Sequence, residues 1–138
     1  MTGTIPSQRI LVVDDEPLVR ESIKMILNVE GHRVETAGSG EEALQKLAKE
    51  QYDIVFTDHI MGGMTGEQLA RAIKAKYPVQ IVIMLTAYAD VLHRITQARP
   101  LVDFVLTKPI DILLLRLMLL RLTTQKTLNA GQEKAAQP

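Results

Sequence analysis

The chain of 138 residues contains no cysteine and carries no net charge, and each absence excludes a class of site. Without cysteine the protein can form neither a disulfide nor a thiolate metal centre, which is typical of proteins in a reducing compartment. Sixteen basic residues are balanced by sixteen acidic ones, so no bulk positive field favours nucleic acid or an anionic membrane. We therefore expect a cytoplasmic protein that does not bind nucleic acid directly.

Long apolar segments are lacking as well. The longest apolar run begins at Ile110 and ends at Leu122, and it is interrupted by Asp111, Arg116 and Arg121. A helix that spans a bilayer needs about 20 predominantly apolar residues, so this run predicts no membrane insertion. The N-terminus also has no apolar stretch that could serve as a signal peptide.

The length of the chain suits one domain with a substantial core. We predict a flexible N-terminus over residues 1–8, a folded domain over residues 9–124 and a polar C-terminal tail over residues 125–138. Nothing after residue 122 is long enough for an output domain. The protein is therefore expected to be either a stand-alone domain or a piece of a longer protein.

Within the domain, apolar runs typical of buried strands alternate with amphipathic helical patterns. The predicted strands cover residues 9–13, 33–37, 54–57, 80–85 and 102–107. A helix is predicted after each strand; the fourth covers residues 90–98, and the fifth begins at residue 110 and ends near residue 128. This alternation predicts an α/β fold, with a doubly wound five-stranded parallel sheet flanked by five helices.

Acidic residues follow two of the predicted strands. Asp14 and Asp15 come directly after the first strand, and Asp58 comes directly after the third. Functional groups of an open α/β sheet gather at the carboxyl ends of its strands, so these three carboxylates are expected to lie close together. Clustered carboxylates repel one another unless a hard cation binds them, and Mg²⁺ prefers oxygen ligands. The sequence therefore predicts a site for Mg²⁺ or Mn²⁺.

A hydroxyl and an ammonium group are predicted at the same edge. Thr86 follows the fourth strand and can donate to a phosphate oxygen, and Lys108 closes the fifth apolar run and can pair with an anion. A carboxylate held beside Mg²⁺ is a competent nucleophile toward phosphorus. We therefore predict that Asp58 accepts a phosphoryl group and becomes an acyl phosphate.

These residues belong to a longer pattern that resembles the receiver domain of bacterial two-component response regulators, a flavodoxin-like fold. The matching segments are Leu-Val-Val-Asp-Asp-Glu-Pro at 11–17, Gly-Glu-Glu-Ala-Leu at 40–44, Asp58-x-x-Met61, Gly66, Leu-Thr-Ala at 85–87 and Lys108-Pro109. The resemblance covers about residues 9–122, and it implies that the folded domain over 9–124 is a receiver domain.

The resemblance implies a phosphorylation-dependent signalling switch. Asp58 would be the phosphoacceptor, supplied by a histidine kinase or a histidine phosphotransfer protein. The domain would assist its own phosphorylation and dephosphorylation and would not be an enzyme acting on a separate substrate. Thr86 would sense the phosphoryl group and Lys108 would contact it. The metal ligands would be Asp14, Asp15, Asp58 and the backbone carbonyl of Ile60.

Further residues are expected to tune the site. By the resemblance, Ala87 leaves the phosphoryl site open to donors, and the Lys108–Pro109 peptide bond is expected to be cis. Tyr88 either borders the site or is simply exposed. Val105 stands where the family has an aromatic residue, and valine has no ring to make the usual aromatic switch. Gly62 stands where the family has proline, which predicts a mobile loop or a positive φ.

Histidines are not expected to take part in the chemistry. His59 directly follows Asp58, but we expect it to lie at the rim or in solvent and not to act as a second catalyst or a ligand. His32 is expected at the surface.

The run from Ile110 to Leu122 holds more apolar residues than one inward stripe needs. An outward apolar patch usually marks a partner surface, so we expect this helix to form a homodimer or to bind a downstream protein. The alternative is a helix that is apolar but fully buried.

Two other functions compete with the phosphorylation switch. The first is a phosphorylation-independent interaction module with a receiver-like fold, which the departures at Gly62 and Val105 support. The second is an aspartyl-phosphate hydrolase of the haloacid-dehalogenase type, which places a second aspartate two residues after its nucleophile. Here Glu16 and Ile60 occupy those positions after Asp14 and Asp58, so the hydrolase is the less favoured hypothesis.

Overall fold

A computed structural model describes residues 5–87 and 101–136 of the chain. Within these residues lie five strands and four helices. They are, in chain order, β1 (Arg9–Val13), α1 (Pro17–Val29), β2 (Arg33–Ala37), α2 (Gly40–Lys49), β3 (Ile54–Asp58), α3 (Gly66–Lys76), β4 (Ile81–Thr86), β5 (Phe104–Thr107) and α4 (Ile112–Ala136). The helix predicted over residues 90–98 lies outside the described residues.

All five strands form one parallel sheet, as predicted, in the order β2-β1-β3-β4-β5. The chain reverses direction across the sheet between β1 and β3, and ligands of open α/β sheets bind beyond the carboxyl ends of the strands at such a point. The two strands that carry the acidic residues are therefore neighbours. Their register pairs Val13 with Thr57, which brings the residues that follow them to one edge.

The central strands are mostly apolar and are buried except at one end of each, as expected for parallel strands covered on both faces. Leu11 of β1, Val55 of β3 and Val82 of β4 belong to one hydrophobic cluster. Leu69 and Ile73 of α3 pack into the same cluster. Burial of apolar surface contributes about 25 cal/mol per Å², so this cluster holds the edge of the sheet in place.

The chain is already ordered at Gln8, within the N-terminus that was predicted to be flexible. The N–H of Gln8 donates to Nδ1 of His32 at 3.0 Å, and its carbonyl accepts from the N–H of Arg33 at 2.9 Å. These bonds tie Gln8 to the residues at the start of β2. The prediction that His32 lies at the surface was wrong, because its ring is held under the start of β1 and only 5% of the residue is exposed.

The last helix continues to Ala136, so the predicted end near Leu128 was wrong, and residues 125–136 of the predicted tail are helical. Most residues after position 124 favour helix, and Gly131 alone interrupts them without a proline, so no signal stops the helix there. At its start, Asp111 accepts hydrogen bonds from the N–H groups of Leu113 and Leu114. In the part of the chain that the structure describes, no helix combines the length and apolarity needed to cross a membrane.

Candidate functional site

Three carboxylates meet at the carboxyl edge of the sheet. Asp14 and Asp15 follow β1, Asp58 ends β3, and one oxygen of each lies within 4.8 Å of the others. Asp14 is buried, with 1% of its surface exposed, and its Oδ1 accepts from the N–H of Glu16 at 2.9 Å. Three oxygen donors at this spacing, one of them out of solvent, fit a hard divalent cation.

Lys108 joins two of these carboxylates. Its Nζ lies 3.0 Å from Oδ1 of Asp58 and 3.4 Å from Oδ2 of Asp14. The backbone places it there, because the N–H of Lys108 donates to the carbonyl of Thr86 at 2.8 Å and so continues the pairing of β4 with β5. The Lys108–Pro109 peptide bond is cis, as expected from the resemblance.

Burial and pairing oppose each other in this cluster. Burial raises the pKa of the Asp58 carboxyl above its ordinary value of 3.8, and the hydrogen bond and charge of Lys108 act against that rise. For Lys108 burial acts to lower the pKa, yet the hydrogen bond and charge of Asp58, with the charge of Asp14, raise it overall. The ammonium group therefore stays protonated at neutral pH and offsets part of the negative charge.

Thr86 lies at the same edge, on the strand beside Asp58. Asp58 pairs with Leu85, and Thr86 is the next and last residue of β4, with 1% of its surface exposed. Ala87 follows it and is exposed, whereas Tyr88 lies outside the described residues. Val105 pairs with Met84 and packs, partly buried, against the hydrophobic cluster.

The loop after β3 closes tightly over Asp58. The N–H of Gly66 donates to the carbonyl of His59 at 2.9 Å, and a Cβ at Gly66 would lie 2.1 Å from the carbonyl oxygen of Asp58. Ile60 is in this loop with an exposed side chain. The loop does contain a positive φ, one of the two alternatives expected for it, at Gly63 with φ 75° and not at Gly62. Gly62 uses its N–H to donate to Oδ2 of Asp15 at 2.9 Å.

His59 is only slightly exposed, which fits the expected position at the rim and not the alternative in open solvent. Its Nε2 lies 2.9 Å from Oε1 of Glu67, and 13% of its side chain is exposed. Sequence reasoning also missed Arg20, whose guanidinium donates to the backbone carbonyl of Asp14 at 2.7 Å. Nothing in the local pattern pairs His59 with Glu67 or Arg20 with Asp14, because each contact depends on how the helices pack against the sheet.

A parallel sheet of this order, with clustered carboxylates, a threonine and a lysine at its carboxyl edge, defines a receiver-type signalling domain. The family model for the response regulator receiver domain matches residues 10–120, and the chain belongs to that family. The family therefore favours phosphorylation-dependent two-component signalling over the interaction module and the hydrolase.

Curated relatives share this part of the chain. It is 35% identical over 127 residues to the probable transcriptional regulatory protein TcrX of Mycobacterium tuberculosis, covering 90% of this chain and 54% of that protein. It is 37% identical to the transcriptional regulatory protein GlrR of Escherichia coli, covering 74% of this chain and 23% of that protein. The chain thus spans about half the length of TcrX, and less of GlrR.

Solved structures agree with the fold. A response regulator receiver domain protein from Clostridium thermocellum is similar with a TM-score of 0.79 and 31% identity, covering 87% of this chain and 97% of that one. The response regulator protein TrrA from Thermotoga maritima, in complex with Mg²⁺-BeF, is similar with a TM-score of 0.76 and 36% identity. The match covers 83% of this chain and 98% of that one.

Proposed function

We propose that Asp58 is the phosphoacceptor of this receiver domain, supplied by a histidine kinase or a histidine phosphotransfer protein. One observation carries the proposal. The Asp58 carboxylate ends a buried strand within 3.0 Å of the Lys108 ammonium and beside two further carboxylates. An aspartate that served only as a turn residue would not need this charge arrangement.

In the proposed reaction a carboxylate oxygen of Asp58 attacks the phosphorus of a phosphohistidine. The new P–O bond forms as the P–N bond breaks, and the donor imidazole leaves with the electron pair. Lys108 holds the attacking carboxylate by its Oδ1 and offers a positive charge to the incoming phosphoryl oxygens. Phosphoryl transfer depends mainly on such positioning and charge stabilisation.

We propose a metal site at the same edge of the sheet. Asp14, Asp15, Asp58 and the backbone carbonyl of Ile60 would hold Mg²⁺ or Mn²⁺, which when bound would neutralise charge on the phosphoryl oxygens. The chemistry of the three carboxylates supports a hard cation at this edge. The structure of TrrA in complex with Mg²⁺-BeF supports Mg²⁺ in particular.

Thr86 is the proposed sensor of phosphorylation. An acyl phosphate adds about −1.5 to −2 of charge and three strong hydrogen-bond acceptors at the sheet edge. Thr86 stands one residue beyond the partner of Asp58, so its hydroxyl can turn toward that charge. Val105, two residues before Thr107 on the neighbouring strand, offers no aromatic ring to move in response. The response would therefore pass through the backbone that follows Thr86, beginning with Ala87.

We further propose that the last helix carries a partner surface, used by a second copy of the chain. Leu113, Leu117 and Leu120 are 65%, 56% and 38% exposed and follow one another at the spacing of a single helix face. Ile112 and Leu114 beside them are exposed as well. An apolar face of this kind supports association more than it supports a buried helix.

Acetyl phosphate and Mg²⁺ provide the test of the phosphoacceptor. After incubation, intact-mass analysis should show one added phosphate on the wild type and none on Asp58→Asn. Glu21→Gln, which removes an exposed acidic group on α1, should be labelled like the wild type. Equal labelling of Asp58→Asn would contradict the proposal. So would a wild-type protein that acquires phosphate neither from acetyl phosphate nor from a histidine-phosphorylated protein donor.

A further inference from the structure

The loop between β3 and α3 reaches back to the acidic pair through its main chain. The N–H of Gly62 donates to Oδ2 of Asp15 at 2.9 Å, although the two residues are 47 positions apart. Every residue except proline offers this donor, so the contact depends on the backbone at position 62 and not on a side chain.

Asp15 has fewer contacts that orient its carboxylate than Asp14 and Asp58 have. Asp14 accepts from the N–H of Glu16, and Asp58 accepts from the N–H of His59, each at 2.9 Å. Lys108 lies against both of them as well. Asp15 is exposed, and among the described residues Gly62 is the one that donates to its carboxylate.

We propose that the main-chain N–H of Gly62 is a positioning group for the metal site, which it serves by fixing the carboxylate of Asp15. The inference rests on the proposed function, since the metal site is part of it. A carboxylate has about four lone-pair positions on two oxygens, so Oδ2 can accept from Gly62 while Oδ1 remains available as a ligand. A ligand that is already oriented by a hydrogen bond binds its ion more tightly than one that must be ordered first.

The loop is built to hold this N–H in place. Gly63 takes φ 75°, and the N–H of Gly66 closes the loop onto the carbonyl of His59. Thr65 then caps α3, accepting from the N–H of Gln68 at 3.2 Å. Both ends of the loop are thereby tied to regular elements, and position 62 lies between them.

Position 62 also offers a matched pair of variants. Its φ is not positive, and a Cβ there would lie 3.7 Å from Oδ2 of Asp15, which is an ordinary contact. Gly62→Ala therefore fits and keeps the N–H. Gly62→Pro restricts the backbone and removes the N–H. The comparison separates the hydrogen bond from the mere loss of glycine flexibility.

The experiment is a titration of the unphosphorylated protein with Mn²⁺ alone, followed by electron paramagnetic resonance of the free ion. We expect Gly62→Pro to bind Mn²⁺ about tenfold more weakly than the wild type. We expect Gly62→Ala to bind like the wild type, and thermal denaturation should confirm that all three proteins fold. Equal or tighter binding by Gly62→Pro would overturn the inference, and so would an equal loss in Gly62→Ala.

A second measurement decides the matter if Gly62→Pro does not fold. Amide hydrogen exchange, measured by NMR in the presence of Mg²⁺, should be slower at Gly62 in the wild type than in Asp15→Ala. Equal rates would overturn the inference. If the wild type binds Mn²⁺ and only the Gly62 results fail, the proposed metal site stands without this positioning group. A wild type that binds no Mn²⁺ would remove both.

Discussion

At the scale of single residues, the available space decides what the phosphoacceptor loop can contain. Gly66 is the first residue of α3, and its Cα lies directly against the carbonyl of Asp58. A Cβ contact of 2.1 Å with backbone cannot be relieved by turning a side chain, so the loop or the strand must move. The lack of a side chain at position 66 therefore allows α3 to begin against the backbone of Asp58.

Gly66→Ala is expected to lower the free energy of unfolding by about 1–3 kcal/mol, the usual cost of overpacking a closely packed position. Because the strain falls on the backbone of Asp58, labelling by acetyl phosphate should slow as well. Urea denaturation and the rate of mass gain measure the two effects. Gly62→Ala, where a Cβ meets only an ordinary contact, is the matched control. Wild-type stability in Gly66→Ala would show that the loop can relax freely.

At the scale of elements, the starts of β1 and β2 are joined by a buried histidine. Nδ1 of His32 accepts from the N–H of Gln8, so the buried ring acts as a hydrogen-bond acceptor in the folded protein. Burial lowers the pKa of His32 below its ordinary value of 6.5, and the charge of Glu30 acts weakly in the opposite direction. Protonation of Nδ1 would therefore remove the acceptor of this hydrogen bond and would place a positive charge in a buried position.

The sign of the pH effect follows from that depressed pKa. In the unfolded chain His32 takes up a proton near pH 6.5, whereas in the folded protein it does so only at lower pH. The contribution of His32 to stability is thus present above pH 6.5 and is lost as pH falls through the folded-state pKa. Melting temperatures measured from about pH 7 to pH 5 should fall more steeply for the wild type than for His32→Asn, which keeps an acceptor but cannot titrate. Parallel curves would contradict the prediction.

The elements also show where sequence reasoning succeeds and where it stops. Apolar runs such as that of β3 predicted the sheet, because a strand buried on both faces has no polar positions to spare. The order of strands then placed Asp14, Asp15 and Asp58 together. The end of α4 was missed because Gly131 and the polar residues around it were interpreted as a tail, although a single glycine does not stop a helix. Contacts across long separations, such as Gly62 with Asp15, leave no local pattern in the sequence.

At the scale of the whole molecule, the chain corresponds to about half or less of the length of its curated relatives. Those relatives are named as transcriptional regulatory proteins, so their additional length carries parts that this chain does not align with. The exposed apolar face of α4, formed by Leu113, Leu117 and Leu120, is the surface that we propose for association of two copies of the chain.

Association through α4 should be visible by sedimentation, because a face of exposed leucines loses its contact with water when two copies meet. We expect the weight-average mass of the wild type to rise with concentration, in the phosphorylated or the unphosphorylated form. Leu117→Glu, at the centre of the face, should weaken association at least about tenfold, equivalent to about 1.4 kcal/mol. Val79→Glu replaces an apolar residue between α3 and β4 that is even more exposed, at 94% against 56% for Leu117, and should associate like the wild type. A strict monomer at high concentration in both phosphorylation states would contradict the dimer. A dimer unaffected by Leu117→Glu would place its interface elsewhere on the chain.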